Sequence, residues 1–294
     1  MKKGYIYLVL TALFWSFAGI CIRFNNQSAL FISVINAMIG VCFNLIFNHQ
    51  KIKLNKTILF AGFCQFMMGV TFILANQLTT VGNAIILQYT SMIFVLIYQC
   101  IDKRQLPKLK QILIIFVVIA GMILFFLDSI SFQGLLGNII AIISGAFYGL
   151  QFYINTKENA DPYSSMIVNF LFSIALIGFV IKDFGNVTIV EWSAMATSGL
   201  ICAGLGSLCF AKGISKINAL TANIICMLEI IFAPIWAYLI FHETIGQMSL
   251  IGAAIMLSGM LYHLYLENQI NKKSVGNYHL SSNENNNIEV IKHL

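Results

Sequence analysis

Ten runs of about twenty apolar residues each, separated by charged and turn residues, make up most of the 294-residue chain. A run of that length crosses bilayer hydrocarbon as a helix, the form in which a single segment satisfies its own backbone polar groups. The first five extend from about Gly4 to Ile22, Ala29 to Phe47, Thr57 to Gln77, Val81 to Ile101 and Leu109 to Leu127. The second five extend from about Leu135 to Asn155, Tyr163 to Ile181, Ser193 to Ala211, Ala219 to Phe241 and Ser249 to Leu266. The runs are apolar on all sides, whereas the strands of a membrane barrel alternate apolar with polar residues. The reading is therefore an all-α integral membrane protein with ten transmembrane helices.

Composition narrows the function classes. Charged residues make up 10% of the chain and its mean hydropathy is +0.84. A soluble domain carries roughly 25% charged residues, so this surface must be solvated by lipid. A cytosolic enzyme, a nucleic-acid binder and a disulfide-stapled secreted module are excluded. The seven cysteines, Cys21, Cys42, Cys64, Cys100, Cys202, Cys209 and Cys226, all lie in apolar runs. They form no C-x-x-C pair and sit apart from the histidines, so they read as reduced core residues. No metal and no cofactor is expected. Met1-Lys2-Lys3 ahead of an apolar run has the look of a signal peptide, but the run reaches Arg23, contains Trp15 and lacks a small-residue cleavage site. It is read as a retained first helix.

The net charge of +6 resides in short loops. With the N-terminus inside, the inner loops hold Lys2, Lys3, Lys51, Lys53, Lys56, Lys103, Arg104, Lys108, Lys110, Lys157, Lys212, Lys216, Lys272, Lys273 and Lys292. The outer loops hold Arg23 and Lys182. An asymmetry of fifteen to two places both termini in the cytoplasm by the positive-inside rule. Residues 267–294 are polar and Asn-rich, and are expected to form a flexible cytoplasmic tail.

An offset of 138 residues aligns Phe72 with Phe210, Ala84 with Ala222, Ile86 with Ile224, Phe94 with Phe232 and Ile97 with Ile235. It also aligns Gly121-Met122 with Gly259-Met260 and sets Tyr98 opposite Trp236. Residues 1–128 and 132–266 then form two five-helix repeats. Five is odd, so the second repeat enters the membrane inverted. Inverted repeats place a binding site at their interface and permit alternating access by rocking.

Particular motifs extend this reading. Asn83-Ala84-Ile85-Ile86-Leu87-Gln88-Tyr89 follows the polar turn Gln77-Leu78-Thr79-Thr80. Met227-Leu228-Glu229 is followed by Phe232, then by Glu243 and by Gly252 and Gly259 in the last helix. Leu13-Phe14-Trp15-Ser16 opens the first repeat and Gly134 to Tyr148 the second. Together these resemble EamA-type transporters of the drug/metabolite transporter superfamily, over about residues 4 to 266. The sequence departs from the family pattern in having Ile230 in place of a proline, with Pro234 one turn later, Gln105 in place of a glutamate, and no glycine after Trp15. The resemblance implies a secondary transporter for small organic metabolites such as amino acids or related amphipathic solutes, in the export direction. The inside-positive short loops and the lack of a targeting sequence point to a bacterial plasma membrane.

Glu229 is the one acidic residue of eleven in the middle of an apolar run. An ionisable group there costs ~2.5–3.5 kcal/mol on insertion scales, so it faces a cavity or a partner. It suits a group that takes up a proton or a cationic substrate, and equally a neutral acid hydrogen-bonded between helices. Pro234 lacks an N–H and releases the Ile230 carbonyl, which makes it a candidate hinge or a static kink. Trp15, Gln88, Tyr89, Tyr148, Gln151 and Trp236 are the aromatic and amide candidates for a substrate pathway; Tyr148 and Gln151 share a helix face. Gly145 and Gly149, and the series Gly199, Ala203 and Ser207, read as close-packing stripes. Lys212 and Lys216 read as surface anchors, and Asn36, Gln65 and Asn169 as hydrogen-bonding groups within the bundle.

An enzyme is disfavoured. None of Asp102, Asp128, Asp161 or Asp183 lies mid-span for an aspartyl protease, His242-Glu243-Thr244-Ile245-Gly246 lacks the second histidine of a zinc protease, and there is no P-loop. An uncoupled facilitator or a channel of the same fold stands beside the proton-coupled carrier. The expected partners are a small-molecule substrate, protons and the lipid bilayer, with no nucleic acid.

Overall fold

The computed structural model describes residues 2–48, 50–127, 134–242 and 246–292, with backbone alone for residues 2, 29, 81, 186 and 270–292. It is helical throughout, and no strand occurs among the described residues. The first span is formed by α1 (Lys2–Trp15) and α2 (Ala18–Arg23), and is followed by α3 (Ala29–Phe47) and α4 (Lys56–Leu78). Next come α5 (Val81–Gln88), α6 (Ser91–Lys103) and α7 (Leu109–Phe125). The second half begins with α8 (Leu135–Ile154), α9 (Pro162–Ile174) and α10 (Ile177–Val180). A 3₁₀ turn (Ile181–Asn186) leads to α11 (Ile189–Ser198), a π-helical stretch (Gly199–Gly206) and α12 (Ser207–Ile214). The chain ends with α13 (Ala219–Cys226), α14 (Leu228–Phe241) and α15 (Gln247–Lys292).

Eight helical segments among the described residues are long and apolar enough to cross a membrane. A ninth is formed if α9 and the segment Ile177–Gly185, bent by 43° to one another, count as one span. The remaining apolar run is the 17-residue α7, about 26 Å long at 1.5 Å per residue. Each of the ten runs read from the sequence thus carries helix. Four of them are broken where one continuous helix was expected: at Ser16–Phe17, at Tyr89–Thr90, at Ala175–Leu176 and at Met227. The polar stretch read as a tail continues α15 as helical backbone to Lys292. The expected motif residue Glu243 lies outside the described residues.

Several structural signals recur at the 138-residue offset. Thr80 and Asn218 both cap a helix N-terminus, each side chain accepting a backbone N–H three residues on, from Asn83 and Thr221. Arg104 and His242 close α6 and α14 in the left-handed conformation, with φ of 50° and 56°. Leu109 and Gln247 open the helices that follow.

Packing depends on small residues, because apolar side chains gain little by leaving lipid for protein. α7 lies along α15, where a Cβ on Gly252 would come within 2.4 Å of the Phe125 nitrogen and 2.5 Å of the Gly121 oxygen. α8 lies against the α5–α6 joint, where a Cβ on Gly145 would come within 2.7 Å of the Gln88 oxygen and one on Gly149 within 2.8 Å of the Ser91 oxygen. The stripe at Gly199 and Ala203 meets α3 at Ile39 and Gly40. Large apolar side chains cover the outside, among them Ile101 and Phe116 at 70% exposure and Phe179 at 79%. On a soluble protein so many would be a liability; facing lipid they are the expected surface.

Candidate functional site

Glu229 lies in the first turn of α14, next to the joint with α13 at Met227. At the equivalent point of the first half, α5 gives way to α6 through Tyr89 and Thr90, and the Thr90 hydroxyl donates to the Leu87 carbonyl at 2.6 Å. The two joints are tied together. The Tyr89 hydroxyl donates to Glu229 Oε1, and the Ser91 hydroxyl donates to Asn223 Oδ1 at 3.1 Å. Interrupted helices expose main-chain groups that protein or water must receive, so such joints are where a membrane protein can build a polar site.

An aromatic series runs from this contact. The Tyr89 and Tyr148 rings meet at 5.8 Å, Tyr148 and Phe152 at 5.0 Å, Phe152 and Phe210 at 5.3 Å, and Phe210 and Trp15 at 5.4 Å. The end of α5, then α8 and α12, thereby link the carboxylate to α1. Tyr89 and Tyr148 are almost fully buried, whereas Glu229, Trp15 and Trp236 are half-buried.

The other residues singled out from sequence are placed as follows. Gln88 turns away from Glu229: its amide donates to the Ser144 hydroxyl at 3.1 Å and to Met68 Sδ at 3.4 Å. Trp236 donates to Ser16 Oγ at 2.9 Å and packs on Phe17 with ring centroids 4.3 Å apart and planes tilted by 31°, joining α14 to the break in the first span. Gln151 is fully buried one turn beyond Tyr148, and neither amide atom has a partner among the described residues. Pro234 lies within α14, and the break in this span is at Met227, seven residues earlier. Asn36 accepts from the Ser198 hydroxyl at 2.7 Å, and the Lys216 ammonium lies over the Tyr7 ring at 5.4 Å.

The sequence reading did not include Ser91 and Asn223 at the joint. Their roles depend on which faces of α6 and α13 meet. It also passed over Glu191, although Thr188-x-x-Glu191 is a capping-box pattern. Glu191 accepts from the Thr188 and Asn26 nitrogens at 2.8 and 3.0 Å, tying the start of α11 to the α2–α3 loop. No group of three potential metal ligands occurs among the described residues. A crevice of about 10 Å³, the size of one water, adjoins Met227 and Leu228. A cavity of about 460 Å³ lies between α6 and α7; its lining, including Ile97, Ile115 and Phe116, is apolar throughout.

These features define an all-helical, multi-pass membrane protein with a carboxylate held where two interrupted spans meet. The EamA-like transporter family matches residues 2–127 and again residues 134–265, and the chain belongs to that family. An uncharacterized transporter of Archaeoglobus fulgidus is 24% identical over 266 residues, covering 89% of this chain and 96% of its own. One of Clostridium kluyveri is 22% identical over 291 residues, covering 89% and 93%. A protein crystal structure 10% identical in sequence superposes with a TM-score of 0.77 over 92% of this chain and 99% of its own, which shows the shared fold. The protein is a membrane transporter, and its family implies a small-molecule substrate.

Proposed function

We propose that the protein is a secondary transporter that exports small organic metabolites, amino acids or related amphipathic solutes, across the plasma membrane. The reading takes all ten apolar helices as spans, counting the bent α9–α10 pair and α7. It arranges them as two inverted five-helix repeats over residues 1–128 and 132–266, with both termini cytoplasmic. The twofold matching of the family, the recurring caps and joints, and the fifteen-to-two distribution of Lys and Arg support it.

One observation carries the mechanism: the Tyr89–Glu229 hydrogen bond joins the two interrupted spans. In alternating access the two repeats rock against each other about a central site. A carboxylate across that seam can exchange its tyrosine donor for a proton or for a cationic group of the substrate. Tyr148, Trp15 and Trp236 would then supply apolar walls with polar tips, Gln151 a buried amide, and Gln88 a support for the α5 end. Pro234 would let α14 bend without losing a hydrogen bond it never had.

The test is flux into proteoliposomes with a pooled panel of labelled amino acids, amines and nucleosides. Saturable uptake with counter-flow is expected. Conductance that does not saturate would make the protein a channel, and absence of flux for every class would overturn the substrate assignment.

A further inference from the structure

A second titratable cluster lies at the other end of α13. His263 and Glu267 are one turn apart on α15 and face the N-terminal turn of α13. The Thr221 hydroxyl lies 2.8 Å from His263 Nε2 and donates to Glu267 Oε2, while the Asn218 amide donates to Glu267 Oε1. With its hydrogen committed to Glu267, Thr221 can only accept from His263, so the order runs His263 N–H, Thr221 O–H, Glu267 carboxylate. The side chains of His263 and Glu267 are 8% and 15% exposed. From α1, Tyr5 is the titratable group facing Glu267; Lys216, near the end of α12, directs its ammonium to Tyr7.

The cluster lies where the bundle is sealed. Every residue of α13 from Ala219 to Cys226 is buried, whereas in α14 only Leu228 and Ile230 are. The network spans the seam between α13 and α15, elements that share few other contacts. The first half of the chain has Phe125 at the position equivalent to His263, so its counterpart to this pair differs. Thr221 is eight residues from Glu229, about 12 Å of helix, so the cluster is a separate site.

We propose that Asn218, Thr221, His263 and Glu267 form a proton-responsive latch that keeps the cytoplasmic half of the transporter closed. The proposal rests on the transport reading and orientation given above. A proton on Glu267 converts an acceptor that holds two donors into a carboxylic acid that donates one. The new O–H competes with the Asn218 and Thr221 donors for the same oxygens, while His263 N–H still points at Thr221 and cannot take its hydrogen, so the charge-assisted bonds from Asn218 and Thr221 are weakened. Buried polar networks of this kind are bistable elements through which pH acts on a fold.

The experiment measures labelling of Cys226 by a small neutral thiol reagent, with mass-spectrometric readout on the full-length protein in liposomes. Cys226 is completely buried, five residues along α13 from Thr221. Thr221→Val and Glu267→Gln should each raise its labelling rate about tenfold at neutral pH, the effect of losing one or two charge-assisted hydrogen bonds. The ratio of variant to wild-type rates cancels the pH dependence of the thiol itself. It should fall towards one as the medium is acidified and the wild-type latch releases. Unchanged Cys226 labelling in the near-isosteric Thr221→Val would overturn the latch; a ratio independent of pH would overturn its proton response. Flux measured on the same liposomes separates the two readings. Absence of flux with the labelling pattern intact would remove the transport assignment and leave the latch.

Discussion

Replacing Tyr89 by Phe removes one hydroxyl and keeps the ring that packs on Tyr148 at 5.8 Å. The hydroxyl is the donor to Glu229 recorded in the structure, so the substitution leaves the carboxylate at the joint without that partner. A hydrogen bond to a charged group is worth about 1.5–3 kcal/mol, and one between neutral groups about 0.5–1.5. Tyr89→Phe should therefore cost about 2 kcal/mol in the wild-type background and about 1 kcal/mol or less where Glu229 is already Gln. At roughly 2–4 °C per kcal/mol the first loss lowers the melting temperature by about 5 °C. Thermal unfolding of wild type, the two single variants and the double variant in detergent completes the cycle and isolates the coupling. An unchanged melting temperature in Tyr89→Phe would refute the contact. Equal losses in the two backgrounds would show that the charge of Glu229 contributes nothing to it. On the transport reading, the same variant should also slow flux, because it alters the group that tethers one repeat to the other.

Other consequences follow from packing. Gly252→Ala places a methyl against main-chain atoms of α7 that cannot turn aside, and should cost about 1–3 kcal/mol, read as a lower melting temperature; Gly178→Ala, which enters open space, is the control and should change little. Gly145→Val should force α8 off the α5–α6 joint and lower both stability and flux, since the added atoms meet the Gln88 and Leu87 carbonyls. Pro234→Ala should leave stability within about 1 kcal/mol, because the break in this span is at Met227 and the helix continues through position 234; a large loss there would mean that the proline shapes the joint.

What could be read from the sequence followed from how short-range the signal was. The apolar runs could be located because crossing a bilayer requires length and composition alone, and Leu135 to Asn155 is matched by a helix to Ile154. Glu229 stood out because a carboxylate in such a run is costly, and Tyr89 and Tyr148 because polar-tipped aromatics are distinctive; the structure brings these three together. The joints were not visible. Met227 and Thr90 carry no helix-breaking signal, whereas Pro234 does and lies in unbroken helix. Tertiary contact with the facing span fixes the break, and no local propensity encodes it. Gln88 and Trp236 were named on residue type alone, and which serine each polar end meets, Ser144 and Ser16, is set by helix packing. His263 and Glu267 lie near the end of an apolar run, where charged residues are ordinary surface anchors. Their meeting with Thr221, more than forty residues away in sequence, is set by helix packing.

The most direct test of the central assignment is flux in proteoliposomes with and without an imposed pH gradient, for wild type and Glu229→Gln. The account predicts saturable flux that the gradient drives in wild type and no longer drives in the variant, while an unchanged melting temperature confirms that the variant is folded. Saturable flux indifferent both to the gradient and to Glu229→Gln would contradict it, and would make the protein a facilitator in which Glu229 joins helices and takes no part in transport.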